Sequence, residues 1–201
     1  MFIIIISLLL AYLVGSIPTA FIFAKVIGRV DIRKQGSGDV GATNVYRVIG
    51  KLPGILTLII DIAKGATAVG VLAPYFHDLG MPLEPHHHQA VMALAVVSGH
   101  NWNPFLKFKG GKGIATSAGA LLLLCPGILG LVVLVWIITF ALTKIISLSS
   151  IIASISFPII AALIGNISIT LLAIILCMIS VVKHRSNIKR LIRGEESTFP
   201  A

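Results

Sequence analysis

The sequence predicts an all-α integral membrane protein with seven transmembrane helices, its N-terminus outside and its C-terminus cytoplasmic. Three observations carry this reading. The 201-residue chain has a mean hydropathy of +1.02 and only 11% charged residues, where a soluble domain carries roughly 25%. Apolar runs of spanning length recur between short polar segments, and the Lys and Arg residues gather in alternate connections. The length leaves no room for a separate soluble domain, so residues 1–201 read as a single membrane domain.

The first helix covers residues 2–24 and begins FIIIISLLLAYLVGSIPTAF. A bilayer crossing takes about 20 apolar residues. A cleaved signal peptide would need a basic segment ahead of a short apolar core; nothing basic precedes Phe2, which favours a retained helix. The remaining helices are 53–75, 88–105, 113–124, 127–143, 147–164 and 167–183. As one helix, 113–143 would be about 45 Å long, too much for a single crossing of a ~30 Å core. Cys125-Pro126-Gly127 offers a turn, since Pro and Gly punctuate helices, and the run divides there. Cys125 and Cys177 lie in apolar surroundings with no CxxC spacing and read as small buried hydrophobes.

Of the sixteen Lys and Arg residues, Lys25, Arg29, Arg33, Lys34, Arg47 and Lys51 lie in or beside the first connection and three lie in 107–112. Lys144 follows the fifth helix, and Lys183, Arg185, Lys189, Arg190 and Arg193 lie in the tail; Lys64 sits inside the second helix. The connections around 76–87, 125–127 and 165–166 carry none. The positive-inside rule therefore places the N-terminus outside and the C-terminus inside. The net charge of +9 is a topological signal and points to no nucleic acid partner. Three polar segments, at 36–44, 107–112 and the tail, share the cytoplasmic face, the organisation of a site at the inner leaflet. Neither an internal repeat nor the inverted pattern of broken helices frequent in transporters is visible.

The first polar segment is GSGDVGATN, residues 36–44. Gly36-Ser37-Gly38-Asp39-Val40-Gly41 fits GxGxxG, but a dinucleotide site needs that pattern after a strand, and here a membrane helix precedes it. Closely spaced glycines still let successive backbone N–H groups point into one anion-binding concavity. A helix starting near Thr43-Asn44 adds its positive dipole end, and Arg47, one turn on, suits a phosphate. A plain flexible loop would need none of Ser, Thr, Asn and Arg at these spacings. Gly110-Gly111-Lys112-Gly113 is no Walker A motif, yet glycines around a lysine let a point charge approach a phosphate closely. A basic inside loop accounts for Lys107 and Lys109, less well for the glycines. His100 suits either catalysis or a backbone bond. His184 and Asn187 stand at i,i+3 and share a face. Asp61 and Lys64, also at i,i+3, are costly inside a membrane and should pair, as a structural ion pair or to orient the site. His86-His87-His88 point in different directions on a helix and make a poor metal site, and no metal is expected.

GSGDVGATNVYR, then GHNWNPFLKFKGGKGIAT, then KHRSNIKRLIRGEE resemble the three cytoplasmic motifs of the bacterial acyl-phosphate:glycerol-3-phosphate acyltransferases of the PlsY type. The resemblance extends over nearly the whole chain, with span count and topology, and three long motifs in order are highly specific. It implies an enzyme that moves an acyl group from acyl phosphate to the sn-1 hydroxyl of glycerol 3-phosphate. The products are lysophosphatidic acid and phosphate, in the first acylation of phospholipid biosynthesis. No HxxxxD motif of other glycerolipid acyltransferases is present. The resemblance further implies that Ser37, Gly38, Asp39, Val40, Gly41, Ala42, Thr43 and Asn44 hold the acyl-phosphate headgroup through backbone amides. Ser37, Arg47 and Lys112 would hold glycerol 3-phosphate beside Gly110 and Gly111, with Ser150, His184 and Asn187 completing the pocket. Arg47, Lys112, His184 and Asn187 are the catalytic candidates; the proton acceptor is His184 or the donor phosphate. A monomer without cofactor in a bacterial cytoplasmic (inner) membrane is expected, its partners being acyl phosphate, glycerol 3-phosphate and membrane lipid. The rival class is an organic-phosphate transporter or channel, which would need a polar path outward; the last two helices offer Ser and Thr but no charges in their outer halves, and the outside connections lack Lys and Arg.

Asp39 stands where that family usually has Asn. An ionised carboxylate turned into a phosphate pocket would repel its ligand. Its side chain is therefore expected to face solvent or to pair with a cation such as Arg33 or Lys34.

Overall fold

The computed structural model describes residues 1–199, which among them contain helices and turns and no strand. Two compact units divide the chain, Met1–Leu124 and the remainder from Cys125.

The first unit contains α1 (Phe2–Gly15), α2 (Thr19–Val26), α3 (Ala42–Val48), α4 (Lys51–Thr67), α5 (Ala73–Asp78), α6 (Pro85–Asn101) and α7 (Ile114–Leu124). The predicted first helix is interrupted at Ser16-Ile17-Pro18 because Pro18 has no N–H to continue the ladder. α1 and α2 nevertheless form one apolar stretch of 25 residues, Phe2–Val26. α4 continues through a π-type turn at Ala68–Leu72 into α5, giving 28 residues from Lys51 to Asp78. α6 starts earlier than the hydropathy suggests, because the Glu84 carboxylate accepts the His87 N–H at 3.0 Å and caps it. It stops before residue 105 because the Asn103 side chain takes the Phe105 N–H, at 3.0 Å, and opens a separate turn.

α1 packs on α6, and α4 on α7. The second contact is backbone on backbone. A β-carbon at Gly65 would lie 2.0 Å from the Thr116 carbonyl oxygen, and one at Gly119 would lie 1.9 Å from that of Ile62. Small residues that admit such approach are how helices associate where no water drives them together. Asp61 and Lys64 lie between these helices and the others of the unit, both buried. Toward the other end of α6, His88 is fully buried and shares a 3.1 Å hydrogen bond with the Ser7 hydroxyl, while His86 and His87 are exposed. Among the described residues no group of three or more His, Cys, Asp or Glu side chains could hold a metal ion.

The second unit contains α8 (Pro126–Thr143), α9 (Ile146–Ile164), α10 (Ile167–Lys183) and α11 (Arg185–Ile192), with α9 packed on both α8 and α10. Cys125 is non-helical (φ −151°, ψ 66°), as a residue before proline prefers, so the division of 113–143 at this point is real. Gly165, at φ 82°, ends α9, and the Asn166 side chain caps α10 by accepting the Ile169 N–H. α10 and α11 bend by 61° at His184. Within the helices, the Ser149, Ser150 and Ser154 hydroxyls each donate to the carbonyl four residues back, which satisfies them without water. Leu134, Ile137, Leu163 and Leu171 face outward instead, a surface suited to lipid.

Helix occurs at all seven predicted positions. By length and composition four stretches are long and apolar enough to cross a membrane, and five if the bent α10–α11 pair counts as one. α6 and α7, at 17 and 11 residues, are shorter than that measure.

Candidate active site

The 36–44 loop is held from below by one side chain. Asn44 is 1% exposed. Its Oδ1 accepts the Ser37 N–H at 3.0 Å, and its Nδ2 donates to the carbonyls of Ile32, Gln35 and Asp39 at 3.0–3.3 Å. Gly36 (φ 56°) and Gly38 (φ 73°) adopt the left-handed backbone this wrapping requires. Beneath lie Ile32, Val40, Val45 and Leu106, a buried apolar bed shared with Ala20 and Ala24 of α2. Asn44 thus knits the loop together, and its side chain does not reach the loop's open face. Asp31 starts the turn just before the loop and forms two hydrogen bonds with the Arg33 guanidinium, at 2.7 and 2.9 Å. The Arg33 guanidinium hydrogen bonds hold the Asp31 carboxyl well below the usual range, against a smaller opposing push from burial.

Lys112 completes the first cluster. The turn that carries it is fixed by the end of α6: the Gly111 N–H donates to the His100 carbonyl at 3.1 Å and the Gly110 N–H to that of Asn101 at 3.3 Å. Lys112 Nζ then reaches Asp39 Oδ2 at 2.5 Å, with both side chains partly exposed. This corrects the expected partner of Asp39. The cation is Lys112, because Arg33 is already committed to Asp31. Asp39 also lies 3.5 Å from the Ser37 hydroxyl. Arg47, on α3 just beyond the loop, has its Nε buried with no hydrogen-bond partner in the protein. The Asp61–Lys64 ion pair forms as expected, at 2.7 Å.

The second unit carries the other predicted residues. His184 is 2% exposed, and its Nδ1 donates to the Ser180 carbonyl at 2.8 Å. A carbonyl only accepts, so in the neutral ring Nε2 is the basic nitrogen. Asn187, buried three residues on, donates to Glu196 Oε1 at 2.6 Å. Glu196 also accepts from the Ser147 hydroxyl and Arg190 Nε, each at 2.6 Å. Burial pushes the Glu196 carboxyl up, but the hydrogen bonds from Ser147, Asn187 and Arg190 outweigh it and bring it below the ordinary value. The Ser150 hydroxyl accepts from Trp136 Nε1 at 3.1 Å and donates to Ile146.

Ser37, Asp39 and Lys112 therefore meet in one place within the first unit, with Asn44 as their support. His184, Asn187 and Ser150 are each anchored within the second. Sequence reasoning missed Glu196 as the group that organises Asn187, and Trp136 as the partner of Ser150. The carboxylate was visible in RLIRGEE, but the chain reversal that returns it to Asn187 leaves no periodic trace.

An all-helical protein with lipid-suited surfaces, polar glycine-rich turns and cations gathered at them defines a class: a membrane protein that handles anionic ligands. The chain's relatives narrow the class. Residues 5–194 match the family model described as glycerol-3-phosphate acyltransferase. The chain is 45% identical to a glycerol-3-phosphate acyltransferase of Desulforamulus reducens over 92% of its own length and 90% of the relative's. It is 41% identical to that of Clostridioides difficile over 96% and 93%. The crystal structure of PlsY (YgiH), an integral membrane glycerol 3-phosphate acyltransferase, in its glycerol 3-phosphate form superposes with a TM-score of 0.87 at 35% identity, covering 98% of this chain and 95% of that one. The lysophosphatidic acid form gives a TM-score of 0.84. This chain belongs to the glycerol-3-phosphate acyltransferase family.

Proposed function

We propose that this membrane enzyme transfers an acyl group from acyl phosphate to the sn-1 hydroxyl of glycerol 3-phosphate, releasing lysophosphatidic acid and phosphate for phospholipid synthesis. The carrying observation is the contact of Lys112 with Asp39, which joins the 36–44 loop to the 110–113 turn. The buried, unpartnered Arg47 Nε supports the same reading, since a buried donor without an acceptor is costly and a phosphate oxygen would satisfy it. Lys112, Arg47 and Ser37 bind substrate phosphate, with Gly110 and Gly111 allowing its approach. The amides of Val40, Gly41, Ala42 and Thr43 serve the donor headgroup; those of Ser37, Gly38, Asp39 and Asn44, expected to do the same, are engaged within the loop itself, with Asn44 Oδ1, the Gln35 carbonyl, the Ser37 hydroxyl and the Gly41 carbonyl. His184, Asn187 and Ser150 serve the same reaction, within a single functional domain.

The sn-1 oxygen forms a bond to the acyl carbon, the bond from that carbon to the phosphate oxygen breaks, and phosphate leaves with the electron pair. The hydroxyl proton passes to His184 Nε2 or to the donor phosphate. Acyl phosphate is already activated, so the protein's share is positioning and charge stabilisation. The chain crosses a bacterial cytoplasmic membrane seven times as a monomer, N-terminus outside and C-terminus inside, with the site on the cytoplasmic side. The distribution of Lys and Arg and the helices at all seven positions support this.

The test is a donor comparison with purified protein in lipid. Glycerol 3-phosphate is acylated from palmitoyl phosphate and not from palmitoyl-CoA. Acylation from the thioester alone would overturn the donor assignment.

Asp39 pairs with Lys112 and competes with substrate phosphate for it, so Asp39→Asn lowers the KM for glycerol 3-phosphate by about two- to fivefold, the scale of a partly exposed ion pair. An unchanged KM in steady-state kinetics would show that Asp39 does not compete with the ligand.

A further inference from the structure

A buried ion pair does little for stability as such; apolar replacements of similar volume are often as good. Asp61 and Lys64, each under 5% exposed, therefore call for another explanation. The pair does not close on itself. Lys64 Nζ also donates to the Ile17 carbonyl at 2.5 Å, at the break between α1 and α2. The Oδ1 of Asp61 that Lys64 holds lies 3.9 Å from Nδ1 of His100. The other edge of that ring faces the lysine-bearing turn: a β-carbon on Gly111 would lie 2.2 Å from His100 Nε2 and 2.8 Å from the Val40 carbonyl oxygen. The His100 main chain holds the same turn through the Gly111 N–H. His100 is thus the spacer between a fixed carboxylate and the point where the two glycine-rich segments meet.

We propose that Asp61, held by Lys64, is a positioning residue that acts through His100 to set the Gly110–Lys112 turn against the 36–44 loop. This rests on the reading of Lys112 as a substrate-phosphate ligand. A carboxylate 3.9 Å from one imidazole nitrogen favours, through its charge, the ring orientation that keeps an N–H toward it, and errors of about 1 Å in a positioned group cost on the order of 100-fold in rate.

The experiment uses the full-length enzyme in lipid and compares wild type, Asp61→Leu/Lys64→Met, His100→Asn, the triple variant and Lys112→Ala. The double replacement removes both charges, so neither is left unpaired in the interior, and the Ile17 carbonyl keeps the Thr19 N–H at 3.0 Å. Thermal unfolding, kcat and KM for glycerol 3-phosphate are measured for each. Expected is a double variant that unfolds near the wild-type temperature yet loses about tenfold or more in kcat/KM. On the His100→Asn background the same replacement adds less than about twofold, because both changes break one path. A double variant that folds and keeps kcat/KM within about twofold, or effects that multiply, overturns the proposal. Should the double variant fail to fold, His100→Asn alone decides: a folded variant with unaltered kcat/KM refutes the path. Loss in Lys112→Ala beside an unaffected double variant removes only the role of the pair. An unaffected Lys112→Ala removes the reading on which it rests.

Discussion

Lys112→Ala lowers kcat/KM for glycerol 3-phosphate by about 10²–10³-fold, the loss of one charge-assisted contact to a phosphate in a preorganised site. Folding is spared. The Lys112 ammonium contacts a partly exposed carboxylate, and the turn itself is held by main-chain bonds to His100 and Asn101 that the substitution leaves alone. Lys112→Arg restores little, because a planar guanidinium cannot place its charge where the compact ammonium sits. Initial rates in proteoliposomes, beside thermal unfolding of the same preparations, check both parts. Wild-type kinetics in Lys112→Ala would remove Lys112 from the site.

Glu196→Ala is the second large effect, and it falls on stability and activity together. The change removes the common acceptor of Ser147, Asn187 and Arg190. Stripping a mostly buried carboxylate of this kind costs about 2–3 kcal/mol through the donors it leaves behind. In a chain of this size that lowers the unfolding temperature by about 5–10 °C. Asn187 also loses its anchor, so kcat falls even below the unfolding range. The pH dependence has a definite sign. The folded carboxyl sits below its ordinary value, so its contribution is complete above the unfolded value, about 4.3. It is lost as pH falls through the folded value. Glu196→Gln removes this acid-side loss, and a thermal-unfolding series from about pH 6 down to pH 3 shows a flatter curve than wild type. Parallel curves would mean that Glu196 is not the titrating group.

The long helices were legible because hydropathy changes sharply at their ends and because the Cys125-Pro126 step and Gly165 mark real breaks, whereas the break at Pro18 lay hidden inside a continuous apolar run. α11 was not legible, since a short polar helix carries no apolar run, whereas the start of α3 near Thr43-Asn44 was expected from the polar loop ahead of it. The pairing of Asp61 with Lys64 could be read from spacing alone, because a lone buried charge is costly and the two stand one turn apart. The partner of Asp39 could not. Lys112 is 73 residues away, and only the folded first unit shows that Arg33 is already engaged. The work of the Asn44 side chain was not legible either, since in sequence the loop reads through its backbone amides alone. The four hydrogen bonds of that side chain show a scaffold, a role that depends on which way the amide turns. Glu196 escaped for the same reason: its value lies in three partners gathered from α9 and α11.

The most direct measurement follows phosphate release and lysophosphatidic acid in one sample of purified protein, palmitoyl phosphate and radiolabelled glycerol 3-phosphate in sealed proteoliposomes. The expected result is one phosphate released for each lysophosphatidic acid formed, and neither without glycerol 3-phosphate. Phosphate release that ignores the acceptor, or label that accumulates unacylated inside the vesicles, would contradict an acyl transfer built on this site.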